Sequence, residues 1–483
     1  MNANAVSRRA FVCCMAGAAS GAAAIGGPST AKASDATEEP NLAAHAWLQA
    51  APDLPNVTAE ETYDVVVIGA GIAGCTAAQA AAEAGASVCV LEKFEGLTGH
   101  GTDIGAVGSK LQTEQGVDID KALATRLIYQ WGQSEANYYV IKNYVYRSGE
   151  VMDHYLDMAK AAGYQVILNS EMTARSDWDT PEDRFKQFRT AHKWTLPEGS
   201  DIPEQMWNVM YFINMVADDA QKNGAVFQFE TPAVQLVAEE GRVVAVIAKT
   251  PEGIYKRVNA TNGVILATGG ITDNEEMKRC FCPISLRADK SDYTPVGGNM
   301  GDGLVMGAWI GAALDTCYPA PIIHPVNLSV MGPGFDTCWL TVNRDGMRYC
   351  CEVGYEPIVT NARMNTVGDV AWAIWDAHYP EHVQKQEPIK SQSFLDGLEE
   401  RVAAEVESGA FIQADTLEEL AGKIGVPSEA LQKTVARYNG FCEAGEDPDF
   451  GVPERFLSSV KDAPFYACNV SSWLLAVPYG LRV

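Results

Sequence analysis

The chain has 483 residues, 47% hydrophobic and 20% charged, which is long enough for two domains because single cores stop growing at about 250–300 residues. Its 62 Asp and Glu outnumber 36 Lys and Arg, and the net charge of -26 argues against nucleic acid and anionic membrane surfaces as partners. A basic redox partner suits that charge, and solubility alone also accounts for it.

Residues 1–33 read as an address. Ser7-Arg8-Arg9-Ala10-Phe11-Val12 is a twin-arginine pattern, an Ala/Gly-rich apolar stretch covers 15–25, and Ala31-Lys32-Ala33 is a cleavage pattern. Export by the twin-arginine route, to the periplasm or the outer face of the cytoplasmic membrane, is therefore expected. No later segment has 18 consecutive apolar residues, so stable membrane insertion is not expected. Of the 12 cysteines, Cys13 and Cys14 lie in the address, leaving ten. The close pairs Cys280/Cys282 and Cys350/Cys351 lack CxxC spacing, so buried or free thiols are expected and no metal site.

Residues 34–62 read as a linker with one short helix near 43–48, and the fold is expected to start at Tyr63. Tyr63-Asp64-Val65-Val66-Val67-Ile68 is a strand, Gly69-Ala70-Gly71-Ile72-Ala73-Gly74 a glycine turn, 73–84 a small-residue helix, and Ser87-Val88-Cys89-Val90-Leu91-Glu92 a second strand ending in an acid. Residues 118–163 read as helical, 173–205 as loop and 206–222 as helix. Strands at 226–229, 233–238 and 243–248 suggest an antiparallel meander turning at Glu240-Gly241-Arg242, followed by a buried strand ending at Ala267-Thr268-Gly269-Gly270. The fold class is α/β: a Rossmann-like domain over 63–320, an α+β domain over 321–475, and 476–483 as the start of a return to the first.

The glycine turn carries chemistry. Gly69 permits the tight turn, Gly71 lets the backbone approach a pyrophosphate, and Gly74 lets helix and strand pack closely. The phosphates then meet the free N–H groups and positive dipole end of the helix across Ala70, Ile72 and Ala73, while Glu92 is placed to accept hydrogen bonds from ribose hydroxyls. On these grounds alone both NAD and FAD fit.

The constellation as a whole resembles the flavoprotein family of fumarate reductases, succinate dehydrogenases, L-aspartate oxidase and ketosteroid dehydrogenases. The resemblance rests on 63–74, Leu91-Glu92-Lys93, Ala267-Thr268-Gly269-Gly270 and Gly301-Asp302-Gly303, and runs from Tyr63 to Val483. It implies FAD as cofactor. It also implies that 98–109, including Thr98, Gly99, Gly105 and Ala106, wrap the flavin and diphosphate, and that Val234 meets the adenine end through its backbone. His100, inside a Thr-Gly-His-Gly-Thr-Asp stretch that departs from the family pattern, lies near the flavin or is structural.

By the same resemblance the second domain caps the substrate. His324, in Pro321-Ile322-Ile323-His324-Pro325, is the implied substrate-polarising group. Val342-Asn343-Arg344-Asp345-Gly346-Met347-Arg348 matches a family segment, but the family's proton-donating arginine position holds Glu356. Tyr355, Glu356 and Arg363 are the candidate replacements. The family's His-Thr element is absent from 471–480, and the family chain continues beyond the equivalent of Val483, so the return to the FAD domain is read as truncated. The implied function is reduction of an activated C=C bond in a small unsaturated substrate, as part of an exported anaerobic electron-transfer system. Without a CxxCH haem site, the donor is expected to be a separate cytochrome or quinol-linked partner. The alternatives are a dehydrogenase that desaturates a ketone or acid, and a non-catalytic paralogue.

Overall fold

The computed structural model describes residues 45–54, 57–132, 134–169, 188–205, 207–291, 295–316, 319–324, 338–353, 356–386 and 395–482. The chain runs through β1 (Val57–Ile68), α1 (Ile72–Glu83) and β2 (Val88–Leu91). An excursion follows through β3 (Ile104–Gly105), α2 (Lys110–Glu114), α3 (Lys121–Trp131), α4 (Tyr138–Ala161), β4 (Gln165–Leu168) and β5 (Ala191–Thr195). The chain returns through α5 (Val209–Lys222) to β6 (Val226–Gln228), β7 (Ala233–Glu239), β8 (Arg242–Lys249) and β9 (Tyr255–Leu266). Helices α6 (Glu275–Phe281) and α7 (Asp302–Trp309) lead to β10 (Ile322–His324) and β11 (Leu340–Asn343). Then come α8 (Glu356–Met364), β12 (Ala371–Trp375), α9 (Tyr379–Gln386), α10 (Leu398–Ser408), β13 (Phe411–Ala414), α11 (Leu417–Ile424), α12 (Ser428–Ala444), β14 (Phe465–Asn469) and β15 (Trp473–Ala476).

Val66, Val67 and the whole of β2 are buried. A strand buried on both faces reads as a continuous apolar run, which is why its sequence does not alternate. In the six-stranded sheet the order is β6-β2-β1-β9-β8-β7, with β6, β2, β1 and β9 parallel and β8 and β7 antiparallel. Small residues of α1 (Cys75, Ala78, Ala82) pack with Val216, Ala217 and Ala220 of α5 against Val67, Val88 and Val90.

The second layer is an antiparallel sheet of order β11-β12-β14-β13. Alternate residues of a strand face opposite sides. Ile374 joins Leu340, Val342 and Ala467 under α11 and α12, while Ala371, Ala373 and Trp375 join Trp339, Tyr466 and Cys468 under α9 and α10. The pair β10–β15 forms a separate two-stranded antiparallel ribbon, with His324 opposite Trp473. Beyond it Ile271 N donates to Val477 O at 3.1 Å and Arg482 N to Ala313 O at 2.8 Å, so the last described residues lie against the first layer.

Three expectations change, and the helical one gains detail. The fold begins before Tyr63: β1 starts at Val57, and its polar half, 57–62, pairs with β9. Charge rather than hydrophobicity holds this half, since Lys256, 8% exposed, reaches Glu61 at 2.9 Å and also contacts Gln228. The 34–62 stretch is thus not all linker, and Trp47 is buried beside Phe281. Val226–Gln228 pairs in parallel with β2 and lies outside the meander, which is β7-β8-β9. The helical region 118–163 is two helices, α3 and α4, each capped by a side chain, Asp120 and Asn137. Within 173–205, β5 is the middle strand of a β3-β5-β4 sheet, with His192 and Trp194 buried. The rest of that loop up to 187, the address 1–33 and Tyr355 lie outside the described residues.

The nine described cysteines are free thiols. Among the described residues no group of three or more His, Cys, Asp or Glu is arranged to hold a metal, and no helix is long and apolar enough to cross a membrane.

Candidate cofactor and active site

The dinucleotide turn sits between β1 and α1. Gly69 has φ +101°, its N–H donates to Leu91 O at 2.8 Å, and a side chain there would meet Ala267 O at 2.3 Å. Gly74 is forced by packing, because a Cβ would lie 1.8 Å from Gly69 O. Gly71 differs: its φ of -78° suits any residue, and the nearest atom to an added Cβ is Thr98 O at 3.7 Å. The protein's own packing does not require a glycine there, whereas a group approaching the backbone from the cleft does. The helix that begins at this turn has no side-chain cap at Gly71 and no acid in its first turn, so its N–H groups and dipole remain available to an anion.

The cleft beside the turn has a volume of about 670 Å³, within the range of about 300–1,000 Å³ typical of ligand sites. Glu92 at the end of β2 is 4% exposed and lines it. One carboxylate oxygen accepts from Ala70 N at 2.6 Å and the other from Phe94 N at 2.9 Å, which orients the acid toward the turn. Lys93 pairs with Asp302 at 2.7 Å, tying β2 to the start of α7 across the cleft. His100 lines the wall, edge-on to Trp207 at 6.4 Å, and burial holds its pKa below the usual histidine value, so its imidazole is neutral at pH 7.

Of the residues expected at the cofactor, Gly69, Gly71, Ile72, Ala73, Glu92, Lys93, Thr98, Gly99, His100, Ala267, Thr268, Gly269 and Asp302 line the cleft. Ala70 and Gly74 are buried behind it, and Gly301 starts α7 from a left-handed backbone. Gly105 and Ala106 are not in the wall: β3 pairs with β5 and carries them into the small sheet. At the expected adenine end it is Pro232 and Ala233 that line the cleft, and Val234 falls at a break in the β7–β8 register.

Sequence reasoning missed Asn299 and Tyr479. Asn299 accepts from Gly270 N at 3.2 Å, and Tyr479 donates to Asp315 O at 2.7 Å. Both line the cleft. The Gly297-Gly298 pair before Asn299 was the one available signal for it; nothing local marks Tyr479.

On the second-layer side, His324 ends β10 and Glu356 begins α8. Arg363 is 3% exposed, its guanidinium 2.9 Å from Asp289 and 2.6 Å from Ser472 Oγ. Ser472 N also donates to Asp289 at 2.8 Å. Arg363 thus clasps α8 to the residue before β15 and is absent from the cleft wall, while its Nε is buried with no hydrogen-bond partner among the described residues. The Val342-to-Arg348 motif is likewise structural. Arg348 lies between Glu352 (2.7 Å) and Asp447 (2.9 Å) and under the rings of Tyr438 and Phe450.

A parallel sheet with a glycine turn, an open helix N-terminus and a buried acid at the next strand's end defines a dinucleotide-binding protein. The chain belongs to the FAD binding domain family, which it matches over residues 64–483, and its cofactor is FAD. It is 27% identical over 85% of its length to the NADH:acrylate oxidoreductase of Vibrio harveyi, covering 44% of that protein. To the probable fumarate reductase Ifc3 of Shewanella frigidimarina it is also 27% identical over 85%, covering 64%. The chain thus spans about half to two-thirds of the length of these curated relatives. Its fold matches a 3-ketosteroid-Δ4-(5α)-dehydrogenase from Rhodococcus jostii, with a TM-score of 0.66, 23% identity, and coverage of 90% of this chain and 89% of that one.

Proposed function

We propose that the protein is an oxidoreductase that reduces the activated C=C bond of a small organic substrate, with electrons from a separate cytochrome or quinol-linked donor. The observation that carries this reading is the path of the chain at the ribbon: β10 and β15 join the two layers, and from β15 the chain enters the cofactor wall at Tyr479, Gly480 and Leu481. This path supports a substrate site beside the mouth of the FAD cleft. The relatives named for acrylate and for fumarate, both alkenes conjugated to a carboxylate, support the bond type.

FAD when bound supplies the hydride chemistry. The chain's residues do the remainder. Glu92 and the N-terminus of α1 hold the nucleotide. Neutral His100 offers a hydrogen bond at the cleft without a charge. His324, on the ribbon, polarises the substrate so that charge developing on its carbonyl is stabilised. With Arg363 committed to Asp289 and Ser472, proton donation is assigned to Tyr355 or Glu356, just ahead of and at the start of α8. The twin-arginine pattern at Arg8-Arg9 supports export of the folded, cofactor-loaded protein and a place in anaerobic electron transfer outside the cytoplasm.

The test is anaerobic oxidation of reduced methyl viologen by the FAD-loaded protein with acrylate and a panel of neutral enones. Dye oxidation dependent on the alkene is expected, and it should fall in Glu356→Gln or His324→Asn. Dye reduction by saturated ketones with no response to any alkene would replace this reading with a dehydrogenase, and no turnover in either direction would replace it with a non-catalytic binding protein.

A further inference from the structure

Cys280, His45 and Glu276 stand in a line on the first layer, outside the cofactor wall. His45 Nδ1 is in short contact with Glu276 Oε1, and Cys280 Sγ lies 3.4 Å from His45 Nε2. A carboxylate accepts hydrogen bonds, so the tautomer that satisfies both contacts carries its proton on Nδ1 and turns the Nε2 lone pair to the thiol. The ring is locked, 4% exposed and stacked on Trp47 at 4.4 Å with a 10° interplanar angle. Cys280 is half-buried. Burial raises its pKa, and Glu276 raises it further against the opposing effect of Arg279, so the resting group is a thiol that needs a base. The line of nucleophile, base and orienting acid supplies one.

We propose that Cys280 is a nucleophilic thiol, activated by His45 and Glu276, that adds to small activated alkenes at a site distinct from the FAD cleft. As the sulfur–carbon bond forms, the S–H bond breaks and its proton passes to His45 Nε2. The alkene π bond opens, and the imidazolium returns the proton to the carbon next to the activating group. No electrons are gained or lost overall, and no further reactant is consumed. Phe281, the next residue, packs tilted against Trp47 at 5.6 Å and stacks on Tyr479 of the cofactor wall at 4.5 Å, so an adduct on Cys280 presses on a ring pair that ends at the FAD site.

The test treats the native, FAD-loaded full chain with limiting N-ethylmaleimide, itself an activated alkene, and follows each cysteine by peptide mass spectrometry. Cys351 and Cys442, equally half-buried, are the comparators. Cys280 is expected to react on the order of 10²-fold faster than either, the usual contribution of a positioned general base. That preference should vanish when the protein is unfolded in guanidinium. Glu276→Gln changes a surface side chain, 44% exposed; it should keep the fold and bring Cys280 down towards the comparators, with partial recovery in Glu276→Asp. His45→Asn should do the same where it folds. Labelling of native Cys280 no faster than Cys351 and Cys442, or a Glu276→Gln variant that labels as fast as the wild type, overturns the proposal and leaves the line as a packing contact.

Discussion

Two glycines three residues apart should respond to the same methyl group in opposite ways. In Gly74→Ala the new Cβ falls 1.8 Å from Gly69 O and 2.9 Å from Gly69 C, both backbone atoms, and 3.4 Å from Ala267 Cβ. To restore an ordinary contact of about 3.5 Å, α1 must retreat by about 1.7 Å from the parallel sheet. Overpacking of this kind costs about 1–3 kcal/mol, and the cofactor-free protein should lose about 1–3 °C in Tm. In Gly71→Ala the backbone already has φ -78° and ψ -170°, and the nearest atom is 3.7 Å away. The folded state accepts the methyl group while the unfolded chain loses freedom, so the cofactor-free protein should gain about 0.4–1 kcal/mol. FAD affinity should nonetheless fall at least about tenfold, or ~1.4 kcal/mol, because the methyl group occupies the pyrophosphate approach. The assay pairs thermal unfolding of the cofactor-free variants with FAD titration by flavin fluorescence. A Gly71→Ala protein that binds FAD as tightly as the wild type, or that melts lower than the wild type without FAD, would refute the assignment of the cleft.

Arg348→Ala should lower the urea midpoint by an amount equivalent to about 3–5 kcal/mol, because it leaves Glu352 and Asp447 without their shared guanidinium. Burial opposes the charge on Asp447, but Arg348 and the N–H groups of Val452 and Asp449 outweigh it and hold its pKa below the ordinary aspartate value. Its contribution to stability is therefore full above the unfolded pKa of about 3.9 and is lost as pH falls through the lower folded value. Wild-type urea midpoints followed from pH 6 down to pH 2 should drop more steeply than those of Asp447→Asn. Asp289→Ala should cost about 1–3 kcal/mol, discounted because Asp289 is 41% exposed, while turnover per bound flavin stays within about twofold; a drop of about a thousandfold would return Arg363 to the chemistry.

What the sequence shows at the nucleotide end is local. The strand Val65 to Ile68, the three glycines and Glu92 lie within 30 residues of one another, and each job is done by a residue type that few others can replace. Such patterns survive in the sequence because the constraint is steric: Gly74 can be nothing larger beside Gly69 O. Mixed helices and short strands in the second domain were also legible, since its strands are short, mainly apolar runs and its helices carry ordinary caps such as Thr416 on Glu419 N.

The polar half of β1 was not legible, because 57–62 is held by Glu61, Lys256 and Gln228 from three strands, a pairing that hydrophobic period does not encode. The parallel placement of β6 was hidden for a related reason: three residues beside β2 look the same in sequence as three residues in a hairpin.

By itself, the sequence determined the class of cofactor turn, the acid at the second strand and the α/β fold class, all set by side-chain size and period over short stretches. Only the tertiary structure decided which residues close the other side of the cleft and which charges are spent. Asn299 and Tyr479 reach the wall from 230 and 410 residues beyond Gly69, and Arg363 is paired with Asp289, 74 positions earlier. Contacts between distant segments follow from how whole layers pack, and no local pattern carries that information.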